Sequence, residues 1–295
     1  MSYQSSYNYR DNSTRPVNFN MRQNSNNNAF LEKAEEMANN CLQSTKHYLP
    51  HIARACLVST FIEDGIRMLY QWGEQRDYIA STWSVGSFLG TIFVLINLCG
   101  QIGASILILA RKQVDNCCYA LFGIIVLQTL AYSILWDLKF LARSLSLVGA
   151  VLLILAENKK DKTNVFRSVP MMNDPSSSTR NYMMLGGRVL LVLMFLSLLK
   201  FNGGAFDMIR NVIGIALIAV ILVGFKTKLF SVVMVAWLMV LNAVFNDFWR
   251  HRSSSIMYDF KKYDFFQTMT VIGGLLFLLL IGPGGLSLDE RKKMY

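Results

Sequence analysis

Charge is what this sequence lacks. Only 16% of its 295 residues are Asp, Glu, Lys or Arg, against roughly 25% in soluble domains. Histidine is scarcer still: His47, His51 and His251 stand far apart, with no HExxH or similar ligand spacing, so no metal site is expected. The five cysteines form neither paired CxxC motifs nor a disulfide framework, although Cys117 and Cys118 are adjacent. Cys56 and Cys99 fall in apolar blocks and read as buried thiols. Neither a Walker loop nor a GxSxG motif occurs. These absences leave no catalytic residue and no cofactor to assign, and they point away from an enzyme. Met1 to about Asn28 is rich in Asn, Ser and Arg without an apolar h-region, so it reads as neither a signal peptide nor a folded unit.

What is present is hydrophobic, at 53% of the residues, and it comes in blocks such as Val189–Leu199, Val212–Gly224, Leu229–Val244 and Val271–Ile281. About 20 mostly apolar residues carry a helix across a bilayer core, where only helices and closed barrels satisfy their backbone. The blocks lack the period-two alternation of barrel strands. The sequence therefore predicts an all-α, polytopic membrane bundle. The net charge of +10 raises the question of nucleic acid. The basic residues cluster at segment ends, however, which fits a bilayer partner rather than nucleic acid.

Eight spans are expected, at 50–71, 83–100, 102–121, 138–157, 185–201, 208–225, 227–246 and 263–282. Arg111, Lys112, Asp115 and Asn116 interrupt the third, and Tyr119–Leu135 could replace it, so a count of seven stays open. The chain divides into a polar tail (1–29), an amphipathic stretch (30–48), a first four-helix repeat (49–157), a polar loop (158–184), a second repeat (185–283) and a tail (284–295). The stretch 30–48 sets Phe30, Leu31, Ala34, Met37, Cys41, Leu42 and Tyr48 roughly on one helical face, for the membrane interface or for the bundle. Tandem duplication is suggested by two matches at one common separation, Leu98-Cys99-Gly100 with Leu222-Val223-Gly224 and the segment around Gly149 with that around Gly273. Arg54 likewise echoes Arg188. Such four-span repeats resemble the DoxX group.

Lys and Arg near the span ends favour cytosolic termini, with Arg250, Arg252, Lys261 and Lys262 against the trend. Asn12 would then stay unglycosylated despite its Asn-Ser-Thr sequon. Lys292-Lys293-Met294-Tyr295 has the dilysine form read by the COPI coat, which needs a short flexible cytosolic tail. Glu63 and Asp64 lie within the first span, where an acid costs about 2.5–3.5 kcal/mol at the centre. Arg67 offers an internal ion pair to either. Together with Asp77, Trp136 and Asp137, and with Trp72, Glu74, Tyr78 and Lys139 nearby, these acids are the candidate lumenal binding surface. Carboxylates beside aromatic faces suit a peptide's α-ammonium and its first apolar side chains.

Long strings carry a resemblance. Lys46–Arg54, Ser59–Met68, Glu74–Ile79, Tyr132–Leu141, Gly186–Phe195 and Lys262–Met269 resemble the surfeit locus protein 4 family, which covers about Phe30 to Tyr295. The resemblance implies an endoplasmic-reticulum (ER) receptor cycling to the Golgi through the intermediate compartment. Such a receptor collects soluble secretory cargo through its N-terminal residues, links it to COPII carriers and returns by COPI. Homo-oligomerisation is compatible with this. The alternative is a small-solute or lipid transporter, suggested by the repeat and the intramembrane charges.

Overall fold

The computed structural model describes residues 47–133, 136, 138–166, 176–199, 204–251 and 255–281, with part of 33–45. Every element among them is helical: α1 Leu49–Tyr70, α2 Trp72–Trp83, α3 Ser87–Leu109, α4 Val114–Ala131, α5 Leu138–Phe166, α6 Ser176–Leu196, α7 Ala205–Val223, α8 Thr227–Phe245, a 3-10 turn Phe248–Arg250, and α9 Ile256–Ile281. By length and composition, five stretches can cross a membrane: Ser87–Leu109, Val114–Ala131, Phe140–Asn158, Thr227–Arg250 and Met257–Leu280. The chain is an all-α polytopic membrane protein. α1 matches them in length but carries Arg54, Glu63, Asp64 and Arg67. Such groups are tolerated at that depth only when they face the bundle interior and find partners.

Pro50 opens α1, where its missing N–H costs nothing. Within α3, Asn97 donates its amide N–H to the Phe93 carbonyl at 2.8 Å, so this donor is met without leaving the helix.

Two boundaries differ from the expected spans 83–100 and 102–121. α3 runs unbroken through Gly100 and Gly103 to Leu109, and α4 starts at Val114. The turn uses positive φ at Arg111 and Gln113. Its polar side chains seek the membrane surface, whereas a glycine inside an apolar run does not end a helix. Gly224 and Lys226 make the corresponding turn between α7 and α8, also at positive φ. Gly100 is thus mid-helix and Gly224 a helix cap, so that sequence match does not join equivalent places. The polar loop expected at 158–184 is shorter, because α5 continues to Phe166 and α6 begins at Ser176. Charge ends a span but not a helix, since a charged helix continues readily in water. Cys99, expected to be buried, is exposed on α3, while Cys56 is buried. In the amphipathic stretch, Leu42 packs against the core and Met37 is exposed.

In the first half α1 packs on α3, α3 on α4, α4 on α5 and α5 back on α1. The second half repeats this order with α6, α7, α8 and α9. Between the halves, α9 lies along α1 and α5 along α6. Gly273 sits at the α9–α1 seam, where a Cβ would fall 2.8 Å from both the Ala53 carbonyl and the Leu57 amide. Gly149 sits at the α5–α6 seam, where a Cβ would fall 3.2 Å from the Met194 side chain, a looser approach. Small residues let backbones approach closely where lipid offers no hydrophobic drive. Thr60 and Thr270 pin the first seam, with hydroxyl oxygens 2.6 Å apart. A buried ion pair joins Arg54 of α1 to Glu157 of α5.

Candidate functional site

At one end of the bundle the last turns of α1 and α4 and the first turns of α5 and α9 surround a cavity of about 650 Å³, with α2 along its rim. That volume is in the range of small-ligand pockets. Its inner wall carries Asp64, whose carboxylate is ion-paired with Arg67. The same carboxylate accepts hydrogen bonds from Gln101 Nε2 at 2.7 Å and Gln128 Nε2 at 2.9 Å. Three donors from three helices therefore saturate it.

Glu63, one residue earlier, is rotated about 100° around the helix. It faces α9 instead, 2% exposed, with Lys262 Nζ 3.6 Å from Oε1 and no hydrogen-bond partner at Oε2. The two adjacent acids thus serve different surfaces, each with its own cation, and only Asp64 reaches the cavity.

The walls are aromatic. Tyr78 of α2 stacks on Tyr132 with centroids 5.5 Å apart, and the Tyr132 hydroxyl donates to Gln75 Oε1 at 2.6 Å. Trp83 fastens α2 to the end of α4 by donating to the Ala131 carbonyl at 2.9 Å. On the opposite wall Arg143 lies 4.7 Å over the Tyr263 ring and 3.2 Å from Asp264. Two carboxylates at the cavity, Glu74 and Asp259, have no cation partner among the described residues. Asp259 accepts one hydrogen bond, from Gln71 at 3.3 Å. Such a site offers apolar faces, a negative mouth and a polar interior.

The expected site residues scatter. Asp77 is on the surface, held by Arg76 Nε at 2.8 Å, and does not line the cavity. Trp136 is 92% exposed and also outside it. Asp137 and the tail residues Lys292, Lys293, Met294 and Tyr295 lie outside the described residues. Arg67 pairs with Asp64 rather than Glu63. Sequence reasoning missed Gln101, Gln128, Tyr132, Arg143, Asp259 and Tyr263 at the cavity. The two glutamines had a signal, since each is an amide set inside an apolar run of its helix. No cluster of metal-ligating side chains occurs among the described residues.

Fold and cavity together define a helical membrane protein with a chamber at one end of its bundle. The sequence model of the SURF4 family matches residues 28–295, and the chain belongs to that family. A surfeit locus protein 4 homolog of Drosophila melanogaster is 46% identical over 268 residues, covering 91% of this chain and 98% of the fly protein. The Schizosaccharomyces pombe homolog is 33% identical, over 90% of this chain and 87% of its own. A Saccharomyces cerevisiae protein named ER-derived vesicles protein ERV29 is 31% identical, over 90% and 84%. No solved structure matches the chain.

Proposed function

We propose that the chain is an ER membrane receptor that holds soluble secretory proteins by their N-terminal residues and carries them toward the Golgi in COPII vesicles. The observation that carries this reading is the chamber with two carboxylates that have no cation partner among the described residues, and with tyrosines on its walls. A peptide's α-ammonium meets Glu74 and Asp259, and its first apolar side chains rest on Tyr78, Tyr132 and Tyr263. Asp64 is internally satisfied, so it and Arg67 shape the inner wall rather than receive the ammonium. The name of the yeast relative, an ER-derived vesicles protein, supports the compartment.

Charge supports a lumenal mouth. The turn with Arg111 and Lys112, the turn with Lys226 and Lys228, and Lys159, Lys160 and Lys162 on α5 all belong to the end opposite the chamber. Positive residues favour the cytosol. At the chamber end Arg76, Arg143, Arg210, Arg250, Lys261 and Lys262 each have an acidic partner. On this orientation the tail lysines are cytosolic and serve retrieval by COPI. Lys292→Ser with Lys293→Ser is expected to move the protein from the ER to the Golgi and cell surface. An unchanged distribution by microscopy removes the retrieval role.

The chamber reading is tested with the purified chain in nanodiscs and a fluorescent peptide copied from a secretory protein's mature N-terminus. The free amine is expected to bind at least about tenfold more tightly than its N-acetylated form, about 1.4 kcal/mol. Equal affinity for the two forms defeats the proposal.

A further inference from the structure

The second half of the bundle holds a chamber of its own, of about 660 Å³, between the ends of α6 and α8 and the beginnings of α5, α7 and α9. Its chemistry is the reverse of the first. Three cations line it, Arg143, Arg210 and Lys261, against one acid, Asp264. Asp247 holds Lys261 at 2.5 Å and Asp207 holds Arg210 at 3.1 Å, and neither acid is part of the lining. Asp207 and Asp247 stand behind Arg210 and Lys261 and position them, while Asp264, inside the lining, pairs with Arg143 at 3.2 Å. Arg210 Nη2 is buried and, despite its closeness to Asp207, has no aligned hydrogen-bond acceptor. Its guanidinium is also steadied 5.8 Å from the Phe245 ring. The side-chain amides of Asn242, Asn246 and Gln267 also line it, and they donate to the Phe265 carbonyl, Asn242 Oδ1 and Ser197 Oγ, which fixes the polar wall.

The other part of the lining is apolar and reaches the outer surface of the bundle. Leu196 is 46% exposed, and Met257 and Phe260 are each 53% exposed. Arginine and lysine converging in a partly desolvated site recognise phosphate oxygens. An apolar flank toward the bilayer admits a hydrocarbon chain and gives a water-soluble anion nothing to bury. We propose that this second chamber binds the phosphate headgroup of a membrane glycerophospholipid, seated on Arg210 and Lys261, with an acyl chain leaving past Leu196, Met257 and Phe260. The site shares Arg143 and Phe260 with the wall of the peptide chamber, but its anchoring cations Arg210 and Lys261 line the second chamber alone.

Native mass spectrometry of the full chain ejected from phosphatidylcholine–phosphatidylserine nanodiscs reads the bound lipid directly. One phospholipid is expected to persist on the wild-type chain at energies that strip the others, and diacylglycerol of the same chains, doped into the discs, is not. Arg210→Gln with Lys261→Gln is expected to lower the retained fraction at least fivefold, while the surface change Lys228→Gln, at the other end of the bundle, leaves it unaltered. Retention of diacylglycerol as readily as phospholipid overturns the proposal. So does displacement of the lipid by an equal concentration of free glycerol phosphate, which would make the ligand a soluble anion. Should the double variant fail to fold, the wild-type comparison of phospholipid with diacylglycerol decides alone.

Discussion

Glu74→Gln combined with Asp259→Asn is expected to weaken binding of a free-amine peptide by at least about tenfold, with little change in stability. Both replacements keep the shape of the chamber and remove only charge. Neither acid has a cation partner among the described residues, so no buried cation loses its partner. Hydrogen bonds to charged groups are worth about 1.5–3 kcal/mol, and the solvent exposure of Glu74 argues for the lower figure. Binding should also lose most of its dependence on salt, since the attraction is screened at the mouth. Fluorescence anisotropy across a salt series checks both effects. Asp64→Asn should behave differently. It strips Arg67 of its acid and turns an amide toward Gln101 and Gln128, so its first effect is on the melting temperature. If the double variant binds as the parent does, the ammonium is held elsewhere.

The largest expected effect on stability lies at the other end of the bundle. Glu157 accepts from both Nε and Nη2 of Arg54, and their side chains are only 8% and 4% exposed. Glu157→Gln is expected to destabilise the chain by about 3–5 kcal/mol, because the buried Arg54 guanidinium then loses the charge of Glu157, which it meets through two nitrogens. Arg54→Leu with Glu157→Leu should recover much of that loss, since two apolar groups need no partners. Thermal denaturation in detergent, followed by fluorescence-detected size exclusion, measures the three proteins together. A double variant no better than the single would mean that the pair contributes through its packing rather than its charge.

How far the residues alone could lead is visible at two places. The apolar blocks revealed the helices, because the bilayer imposes one secondary structure on any such block. The boundary expected at 100–102 falls inside α3, whereas Arg111 and Lys112, read as interrupting the third span, lie in the turn that ends that helix. The acids of α1 were also legible, for their cost in lipid is the same whatever surrounds them. Their separation into two roles was not. It depends on α9 lying beside Glu63 and on α3 and α4 lying beside Asp64, which adjacent letters do not encode. Asp259 and Tyr263 stand nearly 200 residues from Asp64 and reach the chamber only through that same seam. Asp77 misled because it shares a stretch with Glu74 and Tyr78, yet its place on α2 turns it toward Arg76 and away from the chamber.

The crossed seams bear on what such a molecule is able to do. The last helix of each half is braced along the first helix of the other, and Gly273 brings backbone against backbone at one of those braces. A carrier that swings two rigid bodies past each other would have to tear both braces at every turn. A molecule tied in this way keeps its two halves in one arrangement, which is the economy of a basket rather than of a revolving door.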